Sequence, residues 1–337
     1  MIREVTQILS SGNNLGAAQM SIVMEEIMSG SAHTPEIISF LKALDNKGET
    51  VIELAAAVGV MRQHVSHIKA PNSTVLDTCG TGGDAKGTFN ISTASAFVAS
   101  GAGICVAKHG NRSISSSCGS ADVLEALGVN INMSVSKIEE CLSKIGIAFL
   151  FAPNLHPAMK YAMPARKEIG KRTVFNILGP LSNPAEATHQ LVGVYERRWV
   201  AILAEVFLSL GSKRALVVHA DDGLDEISTT SPTFIGEAYN GKVNTFTIEP
   251  EDFGIKRAKM EDLRGADIKQ NTKMLLDALR GEDGPVRDIV VLNAAAGIFA
   301  AGGAKTIQDG IILAKSSIDS GKALEKLELL KNMSKNG

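Results

Sequence analysis

The sequence predicts an α/β protein with a small all-helical domain and a larger α/β domain, in which helices flank a central, mostly parallel sheet. Three observations support this. The first 70 residues show only helical spacing of apolar positions, and the chain then alternates short apolar runs with glycine-rich turns and helical patterns. Its 337 residues also exceed the size at which a single hydrophobic core usually stops growing.

The helical domain is predicted over residues 1–70. Apolar residues recur at helical spacing there, as in Ile37, Ile38 and Leu41. Pro35 suits the first turn of a helix, where its missing N–H costs nothing. A later helical stretch with proline-flanked turns, about residues 160–185, is expected to leave the sheet and complete this domain.

The α/β domain is predicted over residues 72–159 and 186–337. The order strand, loop, helix, strand is typical of a mostly parallel sheet. Strands are expected near residues 75–77, 103–107, 191–195, 215–219 and 290–292, and helices from about residue 92, over 120–127 and over 322–335.

Composition narrows the classes of partner. A formal net charge of -2 argues against a nucleic-acid partner or an anionic membrane surface. The N-terminal residues lack the apolar core of a signal peptide, and no apolar run approaches the ~18 residues of a membrane span. The four cysteines form no C-x-x-C pair. A reducing, cytoplasmic setting is therefore expected, with no membrane partner.

The densest motif is a glycine-rich turn, Asp-Thr-Cys-Gly-Thr-Gly-Gly-Asp at residues 77–84, between a predicted strand and a predicted helix. Glycines let backbone N–H groups approach an anion, and a following helix N-terminus favours negative charge. The spacing matches neither the dinucleotide-binding fingerprint nor a P-loop. The turn indicates a phosphate or pyrophosphate cradle, with a tight turn that binds nothing as the alternative.

A second motif, Lys-His-Gly-Asn-Arg-Ser at residues 108–113, directly follows the next predicted strand. Cations, an amide and hydroxyls at the carboxyl end of a strand can bind phosphate oxygens. Alone, this loop could equally be a solvated turn. The loop and the glycine turn follow two successive strands that are joined by a helix. The two motifs should therefore meet at one edge of the sheet and form an anion site.

The third motif is acidic, Asp-Asp-Gly-Leu-Asp-Glu at residues 221–226, after another predicted strand. Adjacent carboxylates facing a phosphate-binding loop suit magnesium, which prefers oxygen ligands. An acid-rich surface turn is the alternative. The planar guanidinium of Arg166 could bind a carboxylate through two parallel hydrogen bonds. Taken alone, however, the residue is expected to be an arginine on a helix surface.

Together these motifs resemble the anthranilate phosphoribosyltransferases of the nucleoside phosphorylase-like fold. The resemblance spans nearly the whole chain and runs in order through residues 77–84, 90–93, 108–112, 119–125, 172–184 and 225–226. It implies transfer of the 5-phosphoribosyl group from phosphoribosyl pyrophosphate to the amine of anthranilate, with release of diphosphate, in tryptophan biosynthesis. It also implies a homodimer formed through the helical domain, and raises the option of a glutamine amidotransferase (anthranilate synthase) partner.

The resemblance assigns residues to each ligand. Those implied for phosphoribosyl pyrophosphate are Gly80, Gly83, Asp84, Thr88, Asn90, Ile91, Ser92, Thr93, Lys108, His109, Gly110, Asn111, Arg112, Ser113, Ile114, Ser115, Ser116 and Ser120. Those implied for anthranilate are Gly80, Asn111 and Arg166. Two magnesium ions per monomer are implied, with Ser92, Asp225 and Glu226 as ligands. Lys108, His109 and Arg166 would assist the reaction, and no residue is an obvious general base.

Two rival functions remain at this point. A pyrimidine nucleoside phosphorylase resembles this fold and has a glycine-rich phosphate turn, but the loop at residues 108–112 is closer to the transferase pattern. A nucleic-acid-binding relative without catalysis would need a basic stripe, whereas the chain has 34 basic and 36 acidic residues.

Overall fold

The computed structural model describes residues 1–71, 73–84, 86–112 and 118–335. Its N-terminal region is helical and consists of α1 (Ile2–Ser10), α2 (Ala17–Met28), α3 (Thr34–Lys47) and α4 (Val51–Gln63). Pro35 lies in the first turn of α3, and Thr50 caps α4 by accepting from the N–H of Glu53. The prediction of a helical N-terminal domain is confirmed.

The rest of the described chain is built on one seven-stranded sheet. Its strands are β1 (Leu76–Gly80), β2 (Val106–Gly110), β3 (Ile147–Phe151), β4 (His189–Gly193), β5 (Arg214–Ala220), β6 (Thr233–Tyr239) and β7 (Lys242–Ile248). Their order is β3-β2-β1-β4-β5-β6-β7, and the first five are parallel while β6 and β7 pair antiparallel. The predicted mostly parallel sheet is confirmed.

Helices connect the strands and cover the sheet. They are α5 (Ile91–Gly101), α6 (Ser120–Ala126), α7 (Val135–Ile145), α8 (Ala152–Leu155), α9 (Met159–Ile169), α10 (Val174–Leu181), α11 (Arg198–Ser209), α12 (Met260–Leu263), α13 (Ile268–Arg280), α14 (Pro285–Ala300), α15 (Ile307–Asp319) and α16 (Lys322–Ser334). Among the described residues, no helix is long and apolar enough to cross a membrane.

The strand predicted at residues 290–292 is wrong, because these residues lie inside α14. This helix packs against α5 and α15 and is buried on nearly every face, so its apolar run shows no helical period. A continuous apolar run is compatible with either a buried strand or a buried helix. Three strands, β3, β6 and β7, were not predicted.

The helices α9 and α10 leave the sheet and pack against the N-terminal helices. Ala162, Ala165, Phe175 and Leu178 belong to the hydrophobic core that α1–α4 share with α11 and one face of the sheet. A second core lies on the other face, around α5 and α14.

Parallel pairing brings the carboxyl ends of the central strands to one edge of the sheet. Gly80, the last residue of β1, is in register with Gly193, the last residue of β4. The strand on the other side of β4, β5, extends past the level of Gly193. In open α/β sheets this edge is where ligands bind. The acidic motif at residues 221–226 follows β5. The prediction that the basic motif starts after its strand is wrong, because residues 108–110 are the last three of β2, and residues 77–80 likewise lie in β1.

Candidate active site

A glycine turn at the end of β1 forms the centre of the site. Gly82 and Gly83 have φ angles of +64° and +82°, a backbone region that favours glycine. The N–H of Thr81 donates to the carbonyl of Gly193 at 2.9 Å, which ties the turn to the neighbouring strand. The turn therefore presents backbone rather than side chains to the edge of the sheet.

The acidic pair Asp225 and Glu226 meets this turn directly. Asp225 Oδ2 accepts from the N–H of Gly82 at 3.0 Å, and Glu226 Oε1 accepts from the N–H of Ser92, in the first turn of α5, at 3.1 Å. The Asp84 carboxyl group lies against that of Asp225. Burial, and then the neighbouring carboxylates, raise the pKa of both Asp225 and Glu226. Asp225 and Glu226 thus offer oxygen atoms of the kind that magnesium prefers.

Lys108 brings a buried cation to the same cluster from the middle of β2. Its side chain is 4% exposed, and Nζ donates to the carbonyl of Thr78 and to Ser92 Oγ, the latter at 3.3 Å. Its charge also lowers the pKa of Glu226, opposing part of the effect of burial. The glycine turn, the start of α5, Lys108 and the acidic pair are therefore joined by direct hydrogen bonds.

Two buried histidines, His109 of β2 and His156 after β3, form a pair. His109 Nε2 and His156 Nε2 are 3.1 Å apart, so one ring donates and the other accepts. Burial lowers the pKa of His156 to about 4 and that of His109 well below its ordinary value. In His109 the neighbouring His156 and Lys108 lower the pKa further. Both rings are therefore neutral at pH 7.

The neutral histidine pair predicts acid sensitivity. A folded-state pKa below the unfolded value means that the unfolded chain binds more protons, so stability is complete above the unfolded pKa of 6.5 and is lost as pH falls toward 4. The free energy of unfolding should fall by up to about 1.4 kcal/mol per pH unit for each such histidine. Urea unfolding at pH 7.5, 6 and 5 measures this, and His156→Gln should reduce the slope. An unchanged slope in that variant would contradict the assignment.

Asp77 ties β1 to β2 beneath the histidines. Its carboxylate accepts from the N–H of His109 at 3.0 Å and from Asn183 Nδ2 at 2.7 Å, and burial raises its pKa to about 6. The side chains of Asp77, Cys79 and His109 have potential ligand atoms within 4.8 Å of one another. This mixture of oxygen, sulfur and nitrogen does not suit magnesium, and the hydrogen bonds of Asp77 indicate a structural role.

The loop after β2 is held by α6. The Arg112 guanidinium pairs with the carboxylates of Asp122 and Glu125, and Ser120 Oγ donates to the carbonyl of Asn111 at 3.2 Å. Arg112 therefore faces acids of α6 in this conformation. The predicted ligand residues Ser113, Ile114, Ser115 and Ser116 lie outside the described residues.

Buried polar atoms at the start of α5 lack partners. Asn90 Oδ1 and Thr93 Oγ1 form no hydrogen bond with any described residue, although Asn90 Nδ2 donates to the carbonyl of Cys118 at 3.2 Å. Thr88 pairs with Arg264 through a short antiparallel bridge that holds the preceding loop. Buried polar groups are normally satisfied, so these two atoms are available to a polar ligand.

Arg166 lies on α9, half-buried, with its guanidinium 5.6 Å from the centre of the Phe175 ring. No described carboxylate forms an ion pair with it. The two ends of α9 are bracketed by contacts with the site, because His156 precedes it and touches His109, and Arg172 follows it and donates to the carbonyl of Gly83. The helix that carries Arg166 therefore runs along the site.

Sequence reasoning missed three residues that shape this site. His156 follows β3, which was not predicted, so its approach to His109 could not be inferred. Arg172 stacks on Tyr195, with the guanidinium 4.0 Å from the ring centre, and Asn183 bonds to Asp77. Arg172 and Asn183 lie in the segment 172–184 that carries the family resemblance, and this was the only signal for them.

Family models and curated relatives point to the same protein family over nearly the whole chain. Residues 3–65 match the model described as glycosyl transferase family, helical bundle domain, and residues 72–324 match glycosyl transferase family, a/b domain. The chain is 50% identical over 330 residues to an anthranilate phosphoribosyltransferase of Anaeromyxobacter dehalogenans, covering 98% of each chain. A Syntrophobacter fumaroxidans protein of the same name shows the same identity and coverage.

Solved structures agree. The crystal structure of anthranilate phosphoribosyltransferase from Thermus thermophilus superposes with a TM-score of 0.93 at 39% identity, covering 98% of this chain and 99% of that one. The Saccharomyces cerevisiae enzyme in complex with PRPP (phosphoribosyl pyrophosphate) and Mg gives a TM-score of 0.90 at 28% identity, covering 100% and 98%.

Proposed function

Because the chain belongs to the anthranilate phosphoribosyltransferase family, and so transfers a phosphoribosyl group from phosphoribosyl pyrophosphate to anthranilate, we propose that this reaction takes place at the edge of the sheet described above. The main support is a cluster of hydrogen bonds. In it Gly82 bonds to Asp225, Ser92 bonds to Glu226, and Lys108 bonds to Ser92. It combines donors for phosphate, a buried cation and ligands for a metal at one place.

Phosphoribosyl pyrophosphate is proposed to bind between the glycine turn and the start of α5. The backbone of Gly83 and the positive end of the α5 dipole are suited to diphosphate oxygens. Asn90 Oδ1 and Thr93 Oγ1, which lack partners among the described residues, would gain them from the ribose or its phosphate. The proposed contacts are Gly80, Gly83, Asp84, Thr88, Asn90, Ile91, Ser92, Thr93, Lys108, His109, Gly110, Asn111, Arg112 and Ser120.

Magnesium is the proposed cofactor, as two ions per monomer. The oxygen-only donor set of Ser92, Asp225 and Glu226 fits a hard cation that keeps several waters and bridges to phosphate. The fit is supported by the raised pKa of both carboxyl groups, because a bound cation would relieve the repulsion among them and Asp84. When bound, magnesium supplies positive charge against the departing diphosphate.

Anthranilate is proposed to bind beside α9, with Gly80, Asn111 and Arg166 around it. Arg166 has no described carboxylate partner, and the guanidinium fork matches a carboxylate in two parallel hydrogen bonds. The neutral rings of His109 and His156 would line the wall of this pocket without adding charge.

The chain's own residues then perform orientation and charge stabilisation. The aromatic amine of anthranilate already carries a free lone pair, so it needs no strong general base. Arg166 would hold the amine in line with ribose C1, which favours inversion, and Lys108 with the backbone donors of the glycine turn would stabilise negative charge on the departing diphosphate. The low pKa of His109 makes it unsuited to donate a proton at pH 7, so it orients rather than titrates.

Replacing Arg166 with Ala should weaken anthranilate binding specifically. A charge-assisted pairing of this kind is worth about 1.5 to 3 kcal/mol, which corresponds to a rise of roughly 10- to 150-fold in the KM for anthranilate. The KM for phosphoribosyl pyrophosphate should change less than threefold (about 0.6 kcal/mol). Steady-state kinetics with each substrate varied measures both, and Arg166→Lys, which keeps the charge but loses the fork, should fall between. Equal damage to both constants would remove Arg166 from the anthranilate site.

The dependence of binding on metal tests the combined site. Calorimetric titration of phosphoribosyl pyrophosphate into the protein should show tighter binding with MgCl2 than with EDTA. Equal affinity with MgCl2 and with EDTA would contradict a metal-mediated contact between the acidic pair and phosphoribosyl pyrophosphate. Phosphate-dependent cleavage of uridine or thymidine would instead support the pyrimidine nucleoside phosphorylase reading.

The helical domain is proposed to comprise residues 1–70 and about 160–185, and to form the dimer. The shared core of α1–α4 with α9 and α10 supports the first point. An apolar groove between α2 and α4, where Ile22 is 41% and Ile52 is 59% exposed, supports the second. Its occupant would be a second copy of this chain, and sedimentation at micromolar concentration tests for a mass near twice 35.5 kDa.

A further inference from the structure

The loop that carries Asp225 and Glu226 is held from behind by one side chain of α14. Asn293 is fully buried, and its Oδ1 accepts from the N–H of Ile227 at 2.9 Å. Its Nδ2 donates to the carbonyl of Ile227 at 2.8 Å and to the carbonyl of Ile289, one turn earlier in α14, at 2.9 Å. Both amide hydrogens and one acceptor position are therefore used, and the bond to Ile289 anchors the side chain on its own helix.

Ile227 directly follows the acidic pair. The N–H of Ile227 lies in the same rigid peptide plane as the carbonyl of Glu226, so the bond to Asn293 Oδ1 fixes that plane. The second bond, to the carbonyl of Ile227, fixes the next plane. Asn293 thus orients the chain on the far side of Glu226, and Thr233 Oγ1 adds a bond to the second plane by accepting from the N–H of Ser228 at 3.0 Å.

The near side of the pair is fixed by close packing. A Cβ atom on Gly193 would lie 1.4 Å from the carbonyl oxygen of Asp225, so β4 leaves room for no side chain there. The Asp222 carboxylate accepts from the N–H of Leu224 at 3.0 Å and from Ser228 Oγ at 2.6 Å, which closes the loop in front. The pair is therefore held on both sides, by this packing and by the bonds of Asn293 to Ile227.

We propose that Asn293 is a positioning residue for the metal ligands Asp225 and Glu226. The proposal rests on the metal-binding role proposed above for that pair. A carboxamide is the side-chain group that supplies a donor and an acceptor in one plane, as the two groups of Ile227 require. An aspartate at 293 would keep the shape and the acceptor but set a carboxylate oxygen against the carbonyl of Ile227.

Direct metal binding tests this role separately from turnover. Mn2+ serves as the probe, and water-proton relaxation at a fixed, saturating concentration of phosphoribosyl pyrophosphate reports protein-bound Mn2+. Asn293→Asp and Asn293→Ser should weaken Mn2+ binding roughly 10- to 100-fold, as loss of a group that orients metal ligands does. The KM for anthranilate should stay within about twofold (0.4 kcal/mol), which separates positioning from general damage.

Ser317→Ala is the matched control. Ser317 is buried and donates to the carbonyl of Val98 at 2.8 Å, so its loss removes a buried hydrogen bond without touching the acidic loop. Mn2+ binding in this variant should equal that of wild type. A folded Asn293→Asp or Asn293→Ser variant with the wild-type Mn2+ isotherm would overturn the proposal. The proposal would also be overturned if both Asn293 variants failed to fold while Ser317→Ala folded, because Asn293 would then be needed for the fold itself.

The double variant Asp225→Asn with Glu226→Gln, measured in parallel, separates the two levels of inference. If it loses Mn2+ binding while the Asn293 variants keep it, only the positioning role fails. If the double variant itself binds Mn2+ as wild type does, the proposed metal site fails first.

Discussion

Turnover should fall by a factor on the order of a hundred or more when Asp225 is replaced by Asn and Glu226 by Gln, and the Mg2+ needed for half-maximal activity should rise. The change keeps the shape of both side chains and removes two charges. Because the N–H groups of Gly82 and Ser92 can still donate to the amide oxygens, the fold should persist. Initial rates across a full MgCl2 titration are the measurement, since excess free Mg2+ also binds phosphoribosyl pyrophosphate.

A second acidic pair provides the control. Glu282 and Asp283 are adjacent and exposed in the turn after α13, so Glu282→Gln with Asp283→Asn also removes two acidic charges, in a turn that belongs to none of the three site motifs. Its magnesium profile should overlay that of wild type. If the Asp225 and Glu226 variant also overlays wild type, the pair holds no metal that the reaction needs.

Replacement of Gly83 by Val should lower the affinity for phosphoribosyl pyrophosphate by at least about tenfold, or 1.4 kcal/mol. Gly83 has a φ of +82°, which a β-branched residue strongly disfavours, so the turn must change shape. An added Cβ would also lie 2.9 Å from the Arg172 guanidinium. Calorimetric titration with MgCl2 present measures the affinity.

Gly254→Val separates backbone strain from ligand binding. Gly254 has a φ of +66° with no atom within 4 Å of an added Cβ, and it ends a short 3-10 turn outside the site. This variant should lose comparable stability, about 1 to 3 kcal/mol, and keep wild-type affinity. Wild-type affinity in a folded Gly83→Val variant would make the glycine turn merely structural.

The architecture could be predicted where local patterns follow the fold. The helical N-terminus shows its period clearly, and four of the parallel strands lie within a few residues of their predicted positions. The pattern fails at α14, because a helix buried on nearly every side has no polar face to mark its period. The β6–β7 hairpin did carry a sequence signal, the dipeptide Asn240-Gly241, which suits the positive φ angles of a tight hairpin turn, here +49° and +75°.

The candidate site could be predicted in its motifs but not in its framework. Glycine, cation and acid motifs each lie at or just after the carboxyl end of a parallel strand, so topology alone brings them to one edge. The contacts of His156 with His109 and of Asn293 with Ile227 join residues 47 and 66 positions apart, and no local pattern encodes such pairing. Because residues 290–292 were assigned to a strand, Asn293 had no predicted path to the acidic loop.

Anthranilate fluorescence is the most direct test of the central claim, that one metal-dependent site joins phosphoribosyl pyrophosphate to anthranilate. The purified protein is mixed with anthranilate, phosphoribosyl pyrophosphate and MgCl2, and the fluorescence is followed in time. The signal should fall only when protein, both substrates and Mg2+ are all present, and excess EDTA should stop the fall. Constant fluorescence with folded protein and all components present would contradict the account, as would loss that continues unchanged in EDTA.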